Sequence, residues 1–129
     1  MSNRQIFISY AGQDGDWARS FAQALERHGL RIWLDQPQAT PGDSVRDAVE
    51  ARLRESDIFV ALLESEHPVN PNVYFELGAA IGMGKRVVAV VPRELKVAEF
   101  PLDLLRSRSY LIRESPEATA EELAHTLAA

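Results

Sequence analysis

Five short apolar runs, spaced by stretches of helical periodicity, set the fold that this chain can adopt. The runs are Gln5 to Tyr10, Leu30 to Leu34, Asp57 to Leu63, Arg86 to Val91 and Arg108 to Ile112. A strand that is apolar without alternation has no wet face, so it belongs in a sheet covered on both sides. When such strands alternate with helices, they join as parallel neighbours through right-handed crossovers. Asp57 to Leu63 is the most apolar run and is placed centrally, with Ile8, Ile58, Val60, Leu62 and Val88 in the core. Arg108 to Ile112 is short and flanked by polar residues, which places it at an edge.

The intervening segments read as helices. Trp17, Phe21, Ala24, Leu25 and His28 recur at three- and four-residue spacing, with Asp14 or Asp16 as a cap and Gly29 as the stop. Asp43 or Ser44 caps an element that turns Val45, Ala48, Val49 and Leu53 inward. Its wet face holds Arg46, Asp47, Glu50 and Arg54, with Glu50 and Arg54 in the favourable i,i+4 order. Asn70-Pro71 reads as an N-cap and first helical position, opening a helix that ends near Gly84. Ser115-Pro116-Glu117 opens a last helix with Leu123 and Leu127 inward. Arg93 to Leu105 is the least periodic region, and Pro101 is expected to open a single helical turn. The expected fold is α/β: a flavodoxin-like three-layer arrangement with a five-stranded parallel sheet in the order 2-1-3-4-5. Residues 1–129 are expected to form a single domain.

Composition narrows the function classes. The net charge of −5 and the lack of a basic run argue against nucleic acid and anionic membrane as partners. With no cysteine, disulfides, thiolate metal ligands and thiol catalysis are excluded. No apolar run approaches the ~20 residues of a membrane span. The N-terminus runs straight into a strand without a signal-peptide core, so a cytoplasmic location is expected.

In a doubly wound sheet, ligands bind beyond the C-terminal strand ends, where the strand order switches between strands one and three. The loop after Tyr10, the loop after Leu63 and the start of the helix bearing Glu76 all reach that edge. Glu76 is the only carboxylate of its helix and lies among Tyr74, Phe75 and Leu77. It reads either as a partner of the helix macrodipole or as a functional carboxylate. Other motifs fail. Counting back from Gly84-Lys85 puts Ala79 where a phosphate loop needs glycine, and Arg86 where it needs serine or threonine. Gly78 and Gly82 are instead expected to let the helix lie close to the sheet. No dinucleotide fingerprint follows strand one, and strand three lacks the terminal aspartate of a phosphoacceptor receiver. His28, His67 and His125 lie on different elements, so no metal site is expected. Trp33 reads as core packing, Tyr10 as either packing or lining of the crevice, and Asp35 as either a loop hydrogen-bonder or a group facing the site.

Three blocks carry a family resemblance: Ile6-Phe7-Ile8-Ser9-Tyr10, Trp33-Leu34-Asp35 and Asn72-Val73-Tyr74-Phe75-Glu76-Leu77-Gly78-Ala79-Ala80. In this order they resemble bacterial TIR domains of the NAD-cleaving type, across nearly the whole chain. The resemblance implies that Glu76 is the catalytic glutamate. It implies that Tyr10, Ala11 and Gly12 line the nicotinamide or ribose side, with Asp35, Gly42, Ser44 and Asn72 bordering the substrate. Asn72 stands where the family often has tryptophan, and Ala11 where a basic residue sometimes follows the tyrosine. The Asn-x-x-x-Glu form also resembles nucleoside deoxyribosyltransferases, which act on N-glycosidic bonds through a glutamate.

The implied function is hydrolysis or cyclisation of NAD at its nicotinamide–ribose bond. NAD is the substrate and no cofactor is needed. Activation by self-assembly through the Asp35 to Gly42 loop, a separate sensor or oligomerising protein, and a role in bacterial antiphage immunity are implied as well. The alternative is a non-catalytic TIR module that self-associates or binds a nucleotide signal. Two prolines limit the Asp35 to Gly42 loop, and Gly42 supplies its adaptable end. Gly42→Glu is therefore expected to reduce self-association in sedimentation experiments while leaving the melting temperature within a degree or two. Unchanged sedimentation beside an assembling parent would remove the loop from the interface.

Overall fold

Ile58–Leu62 (β3) is the middle strand of a five-stranded sheet, hydrogen-bonded to Gln5–Ser9 (β1) on one side and to Arg86–Val91 (β4) on the other. Arg31–Leu34 (β2) extends the sheet beyond β1, and Ser109–Ile112 (β5) closes it beyond β4. All four pairings are parallel, so the order is 2-1-3-4-5, as the sequence predicts. The helices are α1 (Gly15–Arg27), α2 (Val45–Glu55), α3 (Pro71–Gly82) and α4 (Pro116–Ala128). This computed structural model describes residues 4–10, 14–34, 45–63, 71–93 and 109–128. The expected turn at Pro101 and the loop from Asp35 to Gly42 lie outside those residues.

Strict alternation along the strands sorts side chains into two cores. Ile6, Ile8, Ile58, Val60, Leu62, Val88, Val90 and Leu111 face α1 and α4, meeting Phe21 and Leu25 of the former and Leu123 and Leu127 of the latter. Phe7, Phe59, Ala61, Val87, Ala89 and Val91 face the other way, towards Leu53 of α2 and Val73, Leu77 and Ala80 of α3. Phe7 and Phe59 stack across β1 and β3 with ring centroids 5.7 Å apart. The five residues placed in the core from sequence are all buried.

The helix ends follow local chemistry. Pro71 is the first residue of α3, where its missing N–H removes nothing. Ser115 caps α4, its hydroxyl accepting from the Ala118 N–H at 3.1 Å. Gly29 and Gly84 follow α1 and α3 with φ of 82° and 73°, the left-handed conformation that ends a helix. Glu50 and Arg54 pair at 2.5 Å on the wet face of α2.

Three local expectations are corrected. His28 is not on the buried stripe of α1; it follows the last helical residue and is exposed. Asp14 occupies the N-cap position of α1 but caps nothing with its side chain, which is drawn away to Arg113. Gly78 and Gly82 do not bring α3 close to the sheet. Both lie on its outer face, with nothing within 4 Å of where a Cβ would stand, and Ala80 makes the close approach instead.

Two outcomes follow for stability. Ile58→Ala removes a buried aliphatic group from the central strand, and chemical denaturation should show a loss of about 2–5 kcal/mol. Gly78→Ala relieves the backbone entropy of glycine in a helix at a position with room for a methyl group. It should stabilise by roughly 0.5–1 kcal/mol.

Candidate active site

The C-terminal end of β1 brings a hydroxyl under α3. Ile6 and Ile8 point to the α1 side and Phe7 to the α3 side, so Ser9, two residues beyond Phe7, shares the α3 side. The helix is held on that face by Val73, Leu77 and Ala80. Glu76 lies three residues after Val73 and one before Leu77, so it is carried inward with them. There the Ser9 hydroxyl donates to Glu76 Oε1 at 2.5 Å. Ser9 is fully buried, and Glu76 is only 4% exposed.

A carboxylate withdrawn from water loses solvation that only hydrogen bonds or counter-charges can offset. Glu76 is the only charged residue of α3, and it stands beyond the first turn. The pull of the helix macrodipole fades within that turn, so the dipole gives little reason for a carboxylate here. The strand-end hydroxyl does give one. Glu76 thus sits inward, beside the end of β1 at the strand-order switch, rather than on the outer wet face of its helix.

The other residues singled out from sequence are not all gathered at this point. Tyr10 is 8% exposed and belongs to the core on the α1 side, whereas Glu76 rides on the helix covering the other side. Asn72 lies one turn before Glu76 on α3. Ala11, Gly12, Asp35, Gly42, Ser44 and His67 lie outside the described residues. Trp33 packs beside the α3-side core, with the Arg52 guanidinium 4.5 Å from its ring centroid. Among the described residues, no three of His, Asp and Glu group as metal ligands.

A second polar cluster occupies the same edge of the sheet, between the start of α1 and the end of β5. Arg113 pairs with Asp14 at 3.1 Å and lies over the Trp17 ring at 4.5 Å. The Trp17 indole N–H donates to the Glu114 carbonyl at 3.1 Å, and the Glu114 carboxylate pairs with Arg93, just after β4, at 3.0 Å. These contacts tie three loop ends together around α1.

Sequence reasoning did not single out Ser9. The available signal was a small hydroxyl at the end of an otherwise apolar strand run. Its partner is 67 residues away in the chain, so no local pattern points to the pair.

A parallel five-stranded sheet in the order 2-1-3-4-5, covered by helices on both faces, defines the flavodoxin-like, doubly wound α/β class. Within that class, the TIR domain family model matches residues 6–127, and the chain belongs to that family. A relative from Acinetobacter baumannii, named 2' cyclic ADP-D-ribose synthase AbTIR, is 32% identical over 62 residues, 47% of this chain and 23% of the relative. The NAD(+) hydrolase PdTIR of Paracoccus denitrificans is 33% identical over 61 residues, 46% of this chain and 20% of the relative. The matched stretch therefore spans less than a quarter of either relative. Among solved structures, the CMP N-glycosidase BcmB of Clostridium botulinum superposes with a TM-score of 0.72 at 22% identity, covering 95% of this chain and 99% of that one. The TIR domain of the Toll-related receptor TRR-2 from Hydra magnipapillata gives 0.72 at 19%, covering 96% and 98%. One chain of the RPS4 and RRS1 TIR domain heterodimer gives 0.67 at 14%, covering 97% and 96%. At these identities the structures speak to the fold.

Proposed function

We propose that this TIR domain cleaves NAD at the nicotinamide–ribose bond, with Glu76 as the catalytic carboxylate. The observation that carries the reading is the burial of Glu76 on an otherwise uncharged helix, against the Ser9 hydroxyl at the C-terminal end of β1. The names of the two bacterial relatives support the substrate.

The chemistry suits a sparse site. The pyridinium of NAD departs with the bonding pair as neutral nicotinamide, so no general acid is required. What must be stabilised is the oxocarbenium-like carbon left behind, which a single buried carboxylate does by charge, by holding the ribose hydroxyls or by forming a transient ester. Water then completes hydrolysis to ADP-ribose, releasing a proton. Attack by another group of the same nucleotide gives a cyclic isomer. Tyr10, Ala11, Gly12, Asp35, Gly42, Ser44 and Asn72 are proposed to border the substrate. Self-association through the Asp35 to Gly42 loop, with a separate sensor or oligomerising protein, is proposed to switch the activity on in bacterial immunity.

A second reading, a TIR module that works by association alone, is favoured by the outer face of α3. Phe75 is 54% exposed there, beside Gly78 and Gly82, and that face carries no charge.

Glu76→Gln separates the two readings. Gln keeps the shape and the helix but lacks the charge. Under conditions where the parent assembles, nicotinamide release should fall at least ~100-fold, the scale of losing one preorganised electrostatic group, with folding and assembly retained. A variant that assembles and cleaves NAD at the parent's rate ends the catalytic reading. An assembled parent that releases no nicotinamide favours the association module.

A further inference from the structure

We propose that Ser9 is a positioning residue: its hydroxyl, donating to Oε1, sets the orientation in which Glu76 meets the substrate. This deepens the NAD-cleaving reading and rests on it.

A glutamate side chain has three torsions, and Glu76 projects from a helix that covers only one side of the sheet. Ser9 has one torsion and sits on a strand flanked on both sides, by β2 and by β3. Its register is fixed by the pairing Ser9↔Ala61, one step beyond Ile8↔Val60. A slip of one residue would present a neighbouring side chain to α3 in place of the hydroxyl. The rigid partner therefore holds the mobile one. A carboxylate that must face a developing positive charge works best when its rotation is settled before substrate arrives. The contact joins two fully or almost fully buried groups, where competing water is scarce.

Ser9 could instead merely satisfy a buried carboxylate and serve folding alone. The two roles separate by experiment. Ser9→Ala removes the donor. Ser9→Thr keeps it, and the facing residue on β3 is the small Ala61. With the assembled parent as baseline, Ser9→Ala should lower kcat for nicotinamide release at least about tenfold with KM within about threefold, and Ser9→Thr should recover most of the loss. A folded Ser9→Ala with the parent's kcat overturns the proposal. So do folded Ala and Thr variants that are equally slow, because the hydroxyl would then not be what matters.

A second measurement does not depend on activity or on Ser9→Ala being stable. A serine hydroxyl proton held in a buried hydrogen bond exchanges slowly and should be visible in the proton spectrum of the parent. It should be absent from Glu76→Ala, which removes the acceptor. A parent without such a resonance overturns the proposal. A parent that shows it but cleaves no NAD supports Ser9 as the group that orients Glu76, and places the failure in the enzymatic reading.

Discussion

The structure turns on one carboxylate held away from water between a helix and the end of a strand. Glu76 is 4% exposed, and a buried carboxylate without partners is among the most costly groups a fold can contain. The Ser9 hydroxyl is available only because β1 is in its present register with β3, and only because α3 lies on the face that Phe7 and Ser9 share. That helix is seated by Val73, Leu77 and Ala80, which are core residues with no chemistry of their own. The apolar packing thus sets the position of the polar contact, and the polar contact makes a carboxylate tolerable inside the packing.

Much of the fold was legible because its signals are local. β-branched and apolar runs mark strands, Pro71 and Ser115 mark helix starts, and Gly29 and Gly84 mark helix ends. The failures share a physical cause. Glycine and alanine carry little amphipathic signal, so the sequence shows that Gly78 and Gly82 are small but not which way they face. They face outward. Asp14 satisfies the local rule for a cap, yet a guanidinium from the far end of the chain offers a charge-assisted partner and takes the side chain. His28 fits the period of α1 by one residue too many.

The candidate site was legible to the same degree. Glu76 stood out because an ionisable group among aromatics near a helix start is chemically out of place. Ser9 did not, because serine in a strand is unremarkable until the register and the helix above it are known. Tyr10 kept two readings from sequence. In the structure its side chain is buried in the α1-side core.

The edge of the sheet carries two polar arrangements. Around Asp14, Trp17, Arg93, Arg113 and Glu114, charges pair with charges and an indole donates to a carbonyl. Every residue named there supports a neighbour across a loop end, as in a clamp. At Glu76 a buried carboxylate accepts from a neutral donor, the Ser9 hydroxyl. In the proposed reading, the cations that this carboxylate meets are the pyridinium of NAD and the oxocarbenium-like ribose that follows its departure. The Asp14–Arg113 cluster ties loop ends together, whereas the proposed catalytic reading rests on the burial of Glu76 at the strand-order switch.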